Sequence, residues 1–239
     1  MPGLVITIDG PAGSGKSTVA RILAEKLGFM YLDTGAMYRA VTLKAVRDNV
    51  NLEDEKALVS IAGGMKISFK KEKHGRVLVF ADGENVSGVI RTTELTTKVK
   101  SIARIPKVRE ILVNKQRQMA ESGNVVLEGR DTGTVVCPGA DLKFFLDADL
   151  KKRVLRRYEE IKLINPFITV EEIEKELCVR DKSDYSRKTG PLKQADDAVR
   201  IDTTHMDIES VVQYLYDYIK KSVSINSKRL GTKIQMTKK

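Results

Sequence analysis

Cysteine is scarce in this chain of 239 residues, long apolar runs are missing, and acidic residues disappear from its C-terminal end. Cys137 and Cys178 are the only two cysteines, and their separation fits neither a disulfide framework nor a cysteine-rich metal centre. Both are expected to be buried thiols in a reducing compartment. No apolar stretch approaches the roughly 20 residues that a bilayer-crossing helix needs, and the first residues lead almost directly into a strand-like run rather than a secretory leader. A cytoplasmic location without a membrane partner is therefore expected. Internal repeats and low-complexity segments are also missing. The length reads as one large domain, or a domain carrying an insertion, with room for a substantial core.

The formal net charge of +10 raises the question of a nucleic-acid partner. Residues 220–239 hold seven Lys and Arg (Lys220, Lys221, Lys228, Arg229, Lys233, Lys238, Lys239) and no acid, which leaves only +3 of the +10 on the rest of the chain. That tail has no aromatics and no steady periodicity, and reads as a solvated or frayed end. In the body, arginines gather in short motifs, which suits a small polyanionic ligand better than a duplex. No specific nucleic-acid partner is expected.

The informative stretch lies near the start. Gly10-Pro11-Ala12-Gly13-Ser14-Gly15-Lys16-Ser17-Thr18 matches G-x-x-x-x-G-K-[ST] completely, a loop whose backbone N–H groups form a concave nest at the positive end of the following helix. In that geometry Lys16 reaches the β- and γ-phosphates of a polyphosphate, and the Ser17 hydroxyl is a ligand for Mg²⁺. The flanks agree. Leu4-Val5-Ile6-Thr7-Ile8 has the β-branched character of a buried parallel strand. Val19, Ile22, Leu23 and Leu27 fall at helical spacing, and Gly28 stands where a C-terminal cap belongs.

Further along, Phe29–Leu32 reads as a second strand, and the helix after it is expected to be capped by Thr34, with Arg39 in its second turn. From 42 to about 92 the pattern changes to a helix around Leu52–Ile61 and hairpins around Lys66–Phe69, Val77–Phe80 and Ala81–Val86. A long helical stretch from Thr92 to about Ser122 carries Arg109 and is expected to be bent or broken near Ile105-Pro106. Asn124–Leu127, Leu142–Asp147 and Ala198–Asp202 supply three more strands. The first of these ends in Glu128-Gly129-Arg130-Asp131-Thr132-Gly133-Thr134, at the edge where parallel α/β sheets bind ligands. Arg153, Arg156 and Arg157 share one side of a basic helix. Thr169-Val170-Glu171-Glu172 is a capping box, and Arg180, Asp184 and Arg187 share a face if the helix it opens continues. Five parallel-type strands separated by helices imply a three-layer α/β fold.

Along nearly its whole length, from the phosphate loop to Asp202-Thr203-Thr204, the chain resembles bacterial cytidylate kinases, a nucleoside monophosphate kinase family of P-loop proteins. The likeness rests on Gly10–Thr18, Leu32–Arg39, Ile105–Arg109, Glu128–Val136, and the segment from Arg180 through Pro191-Leu192 to Asp197-Ala198. It implies a P-loop NTPase-like fold with a five-stranded parallel sheet, a small antiparallel insertion beside the monophosphate (42–91), a core (1–41 and 92–222) with a helical lid at about 150–190, and a basic tail (223–239). It also implies ATP and Mg²⁺, CMP and dCMP as small-molecule substrates, and a monomer. By the resemblance, Thr34, Arg39, Arg130 and Arg187 hold the acceptor phosphate, Arg109 and Asp131 read cytosine, Arg180 with Asp184 holds the ribose, and Arg153 and Arg157 swing in from the lid. Three positions depart from the family pattern. Lys100 stands where a base-contacting serine is usual, with Ser101 one residue later; Thr34 replaces a frequent serine; Gly190 replaces a common alanine.

Other readings are a phosphate-loop kinase for another small acceptor, a nucleic-acid-binding ATPase that uses the tail, and a GTPase-type switch. The last lacks its guanine-reading Asn-Lys-x-Asp, because Asn114-Lys115-Gln116-Arg117 ends in Arg and lies in a helical stretch.

Overall fold

A computed structural model describes residues 3–72 and 77–236. The chain alternates strands and helices: β1 (Val5–Asp9), α1 (Lys16–Leu27), β2 (Met30–Asp33), α2 (Thr34–Arg47), α3 (Glu55–Gly64), β3 (Ile67–Lys71), β4 (Val77–Ala81), β5 (Glu84–Asn85), α4 (Thr93–Ala103), α5 (Pro106–Ala120), β6 (Val125–Gly129), β7 (Leu142–Asp147), α6 (Leu150–Lys162), α7 (Val170–Ser186), β8 (Val199–Asp202) and α8 (Ile208–Met236). The five expected parallel strands are present, each within a residue or two of its expected ends. The long helical stretch is split at Ile105-Pro106, where Pro106 takes the first position of α5, a place that needs no N–H.

The main sheet has the order β2-β6-β1-β7-β8, with all neighbours parallel. Alternation along the strands sends side chains to two faces. Ile6, Ile8, Val126 and Phe144 pack with Val19 and Leu23 of α1 and with Val211, Leu215 and Ile219 of α8. Val125 and Leu127 point the other way, to Val113 and Ala120 of α5. This is the expected three-layer α/β fold. Strands β3-β4-β5 form the small antiparallel sheet. It shares one apolar cluster with α2, α3, α4 and α5, including Met37, Leu58, Ile67, Val79, Ile102 and Val108.

Three expectations are corrected. Asp33, not Thr34, caps α2, its carboxylate accepting from the Ala36 N–H; a side chain one residue before the first turn reaches that N–H, and Thr34 is already inside the helix. Cys178 is exposed on α7 and Cys137 only half-buried, because the apolar side of α7 is taken by Ile173 and Leu177. Of the two readings of the tail, solvated or frayed, the frayed one is overturned as far as Met236, where α8 ends, since no proline interrupts it; residues 237–239 lie outside the described residues. Among the described residues, no helix is long and apolar enough to cross a membrane.

Phe144 is buried on the central sheet and meets the Tyr218 ring edge to face at 5.6 Å. Phe144→Ala is expected to lower unfolding stability by about 3–5 kcal/mol, measured by urea denaturation.

Candidate active site

The loop Gly10–Gly15 leaves the C-terminal end of β1 and enters α1 at Lys16. A Cβ at Gly10 would lie 2.0 Å from the Leu146 carbonyl oxygen, so only glycine passes there. Gly15 precedes α1 without a side-chain cap, which leaves the first N–H groups of the helix available to an anion. From outside, Arg153 Nη1 donates to the Ala12 carbonyl (3.0 Å) and Thr203 Oγ1 to the Ser14 carbonyl (3.2 Å). Inside, buried Lys16 donates Nζ to the Pro11 carbonyl at 3.0 Å. Burial, reinforced by the nearby Arg130 charge, pulls its ammonium down to about 7 against the opposing pull of Glu128.

Glu128, at the end of β6, lies beside this loop. Its Oε1 accepts from Ser17 Oγ at 2.9 Å and from the Tyr31 hydroxyl at 3.3 Å. Its Oε2 is buried with no partner among the described residues. Burial, with Asp33 close by, raises this carboxyl. Asp33 behaves oppositely: burial pushes it up, but Arg39 (2.7 Å) and Arg91 (3.4 Å) outweigh burial and lower it. The Thr34 hydroxyl donates to the Glu128 carbonyl at 2.8 Å. An orphaned carboxylate oxygen beside a serine hydroxyl is a hard-oxygen set that suits Mg²⁺. No three His, Cys, Asp or Glu residues converge among the described residues, so a cation here would share its ligands with phosphate oxygens.

At the opposite end, Arg109 of α5 is almost fully buried and donates Nη2 to Asp131 Oδ2. Its guanidinium lies over the Tyr38 ring, 5.5 Å from the centroid. Burial raises the Asp131 carboxyl in spite of Arg109 and Arg187. Arg130 Nε donates to Asp184 Oδ2 at 2.7 Å, and Arg187 lies 3.7 Å from the same carboxylate. Burial would raise Asp184, but Arg130 and Arg187 prevail and lower it. Because α7 does continue through Ser186, Arg180, Asp184 and Arg187 turn the same way. Arg180 has no hydrogen-bond or ion-pair partner among the described residues, and burial with Arg130 nearby lowers it to about 10. Arg187 Nη2 donates to the Gly190 carbonyl at 2.8 Å. Gly190 itself has φ +59°, and a Cβ there would come within 2.2 Å of both Arg109 Nη2 and Asp131 Oδ2.

Lys16, Ser17, Thr18, Asp33, Thr34, Arg39, Arg109, Glu128, Arg130, Asp131, Arg180, Asp184 and Arg187 all line one cavity of about 710 Å³. Lys100, and not Ser101, lines it, as does Arg157, which pairs with Glu160 at 3.0 Å. Arg153 does not. Its guanidinium is buried under the loop, donating to the Ala148 and Ala12 carbonyls and to Asp181 (2.6 Å), so it holds the loop from behind. Sequence reasoning passed over Asp33 and Glu128, although both end parallel strands, where ligands gather. It also gave Arg156 no separate part. Arg156 donates to Thr203 Oγ1 (3.0 Å) and to the Thr203 and Met206 carbonyls (2.6 and 3.3 Å). These contacts border a second cavity of about 250 Å³ on the far side of the loop, lined also by Gly15, Ile208 and Val211.

A parallel sheet whose first strand runs into a phosphate loop, with a buried lysine and an arginine cluster facing one elongated cavity, defines a phosphate-loop kinase. The sequence profile of the cytidylate kinase family matches residues 6–221. A cytidylate kinase of Caldanaerobacter subterraneus subsp. tengcongensis is 52% identical over 217 residues, 91% of this chain and 95% of that one. Cytidylate kinases of Streptococcus pneumoniae (47% over 213 residues, 89% and 96%) and of a Geobacillus species (44% over 219 residues, 91% and 97%) are similar at comparable coverage. The chain belongs to the cytidylate kinase family.

The low Lys16 value has a measurable sign. Between about 7 in the folded protein and the ordinary 10.5, the unfolded chain binds more protons at this residue, so folding stability gains as pH rises through that window. Wild-type Tm is expected to rise relative to that of Lys16→Met between pH 7 and 10. Parallel Tm curves would show a lysine with its ordinary affinity for the proton.

Proposed function

We propose that this chain transfers the terminal phosphoryl group of ATP to the 5′-phosphate of CMP or dCMP, yielding ADP and CDP or dCDP. The observation that carries the acceptor reading is the buried Arg109–Asp131 pair, set at the end of the cavity opposite Lys16. The cytosine amino group can donate to the Asp131 carboxylate, while the Arg109 guanidinium donates to the ring nitrogen and carbonyl oxygen. Uracil presents a carbonyl where cytosine has the amino group and would set one acceptor against another. Arg180 and Asp184 face the ribose. Thr34, Arg39, Arg130 and Arg187 surround the acceptor phosphate, and the buried unpartnered Nε atoms of Arg39 and Arg187 are donors that phosphate oxygens satisfy.

In the transfer, an oxygen of the acceptor phosphate forms a bond to the γ-phosphorus as the bond from that phosphorus to the β,γ-bridging oxygen breaks. The electron pair leaves with ADP. The acceptor phosphate is already ionised, so no general base is required. The protein brings two repelling polyanions into line and neutralises the moving charge, with Lys16 on the donor side and Arg130, Arg180 and Arg187 around the transferring group. Ser17 and Glu128 are the residues that would hold Mg²⁺, which when bound neutralises polyphosphate charge. Arg157, on α6, is the lid cation facing the cavity, and closure there excludes water as a competing acceptor. The donor base fits the second cavity, between Arg156 and the Met206–Ile208 segment. Residues 42–91 serve as the acceptor-side insertion and about 150–190 as the lid. One chain supplies every group named, so a monomer suffices, and the cytoplasm holds both nucleotides.

The test is a coupled ADP-release assay with Mg-ATP against CMP, dCMP, UMP, AMP, GMP and shikimate. Turnover of roughly 1–100 s⁻¹ on CMP and dCMP, with UMP far behind, is expected; silence on CMP and dCMP would overturn the reading. Lys16→Met should abolish turnover in a folded protein. Asp131→Asn should lower kcat/KM for CMP by about 100-fold or more and narrow the gap to UMP, since a site built to pair one polar group loses its selectivity with that group.

A further inference from the structure

The turn that follows the base-reading pair is fastened from across the sheet. Residues Thr132–Val136 form a single π-helical turn, and its own N-terminal flanking residue, Asp131, makes no side-chain bond to it. An aspartate in that place ordinarily caps the first free N–H groups of its helix. Here another carboxylate does so. Asp9, the last residue of β1, accepts from the Thr132 N–H (2.9 Å) and the Thr132 hydroxyl (2.8 Å) through Oδ1, and from the Gly133 N–H (2.8 Å) through Oδ2. Asp9 stands opposite Gly129 in the parallel ladder and directly before Gly10.

We infer that Asp9 is a positioning residue for base recognition: by capping the Thr132–Gly133 turn in place of Asp131, it frees the Asp131 carboxylate to face Arg109 and the acceptor base. The inference rests on the cytidylate kinase reading. It explains why a buried position carries a carboxylate at all. Burial outweighs the three bonds and raises Asp9 to about 6, so the group is costly where an apolar side chain would pack. Only a doubly accepting side chain occupies all three donors. An amide at position 9 presents one acceptor oxygen and an NH₂ group, leaving a backbone N–H at 132 or 133 for which Asp131 then competes.

The experiment compares wild type, Asp9→Asn and Thr132→Val in steady-state kinetics with CMP, UMP and ATP, alongside urea denaturation and calorimetric CMP binding. Asp9→Asn is expected to raise KM for CMP about tenfold and to narrow the CMP-to-UMP preference, with KM for ATP within about twofold of wild type. Thr132→Val, which removes one of the three bonds, should shift the same quantities in the same direction by less. A purely structural Asp9 would lower the folded fraction, and with it the apparent kcat, while both KM values and the base preference stayed put; that pattern overturns the inference. Should Asp9→Asn fail to fold, Thr132→Val decides alone, and an unchanged CMP KM there also overturns it. Wild-type protein that neither binds nor phosphorylates CMP overturns the kinase reading together with this one, whereas an active wild type with unaffected variants removes only the role of Asp9.

Discussion

The repulsion among cations gathered around one cavity is the constraint on which the structure depends. Lys16, Arg39, Arg130, Arg180 and Arg187 face the same space, and gathering like charges in a buried site costs free energy that a polyanionic ligand would offset. Without such a ligand the charge has to be balanced from within. The fold does this with carboxylates at strand ends and on one helix: Asp33 against Arg39 and Arg91, Asp184 against Arg130 and Arg187, and Asp131 against Arg109. Lys16 and Arg180 are the two that remain least compensated, and both are lowered by burial and by Arg130. They are also the groups to which arriving phosphates have most to offer.

The sheet makes this concentration of charge affordable in geometric terms. Parallel strands all end on one edge, so Asp9, Asp33 and Gly129 arrive at one level, and the loops after them meet without any long-range search. The register Asp9 to Gly129 and Asp33 to Glu128 brings the phosphate loop, helix α2 and the Arg130-Asp131 turn together. Apolar packing on both faces of the sheet then fixes the edge rigidly enough to hold the carboxylates in place.

The fold was largely legible because its signals are local. The phosphate loop, the β-branched strands and the capping box at Thr169 each announce themselves over a few residues. The family likeness added parts for Arg39, Arg109, Arg130, Arg153, Arg157, Arg180 and Arg187. What escaped was whatever depends on contacts far apart in sequence. Glu128 stands 111 residues from Ser17, and nothing in either segment advertises the bond. Arg153 and Arg157 looked alike on one helical face, yet Arg153 is drawn under the loop by two carbonyls and Asp181, while Arg157 looks into the cavity. A helical wheel cannot tell these apart, since the distinction comes from what α6 leans on. Thr34 and Asp33 were exchanged as cap because both residue types suit the position, and only the backbone shows which one lies outside the first turn.

Gly190 gives the segment after α7 a stop set by the thickness of a hydrogen atom. The segment returning from α7 rests its bare Cα against the Arg109 and Asp131 side chains, at a separation that any side chain would abolish. The height of the returning chain over Arg109 and Asp131 is thereby gauged directly by those two side chains. Arg187, tied to the Gly190 carbonyl, rides on the same support. The Arg109–Asp131 pair and the Arg187 guanidinium therefore share one bearing surface at Gly190.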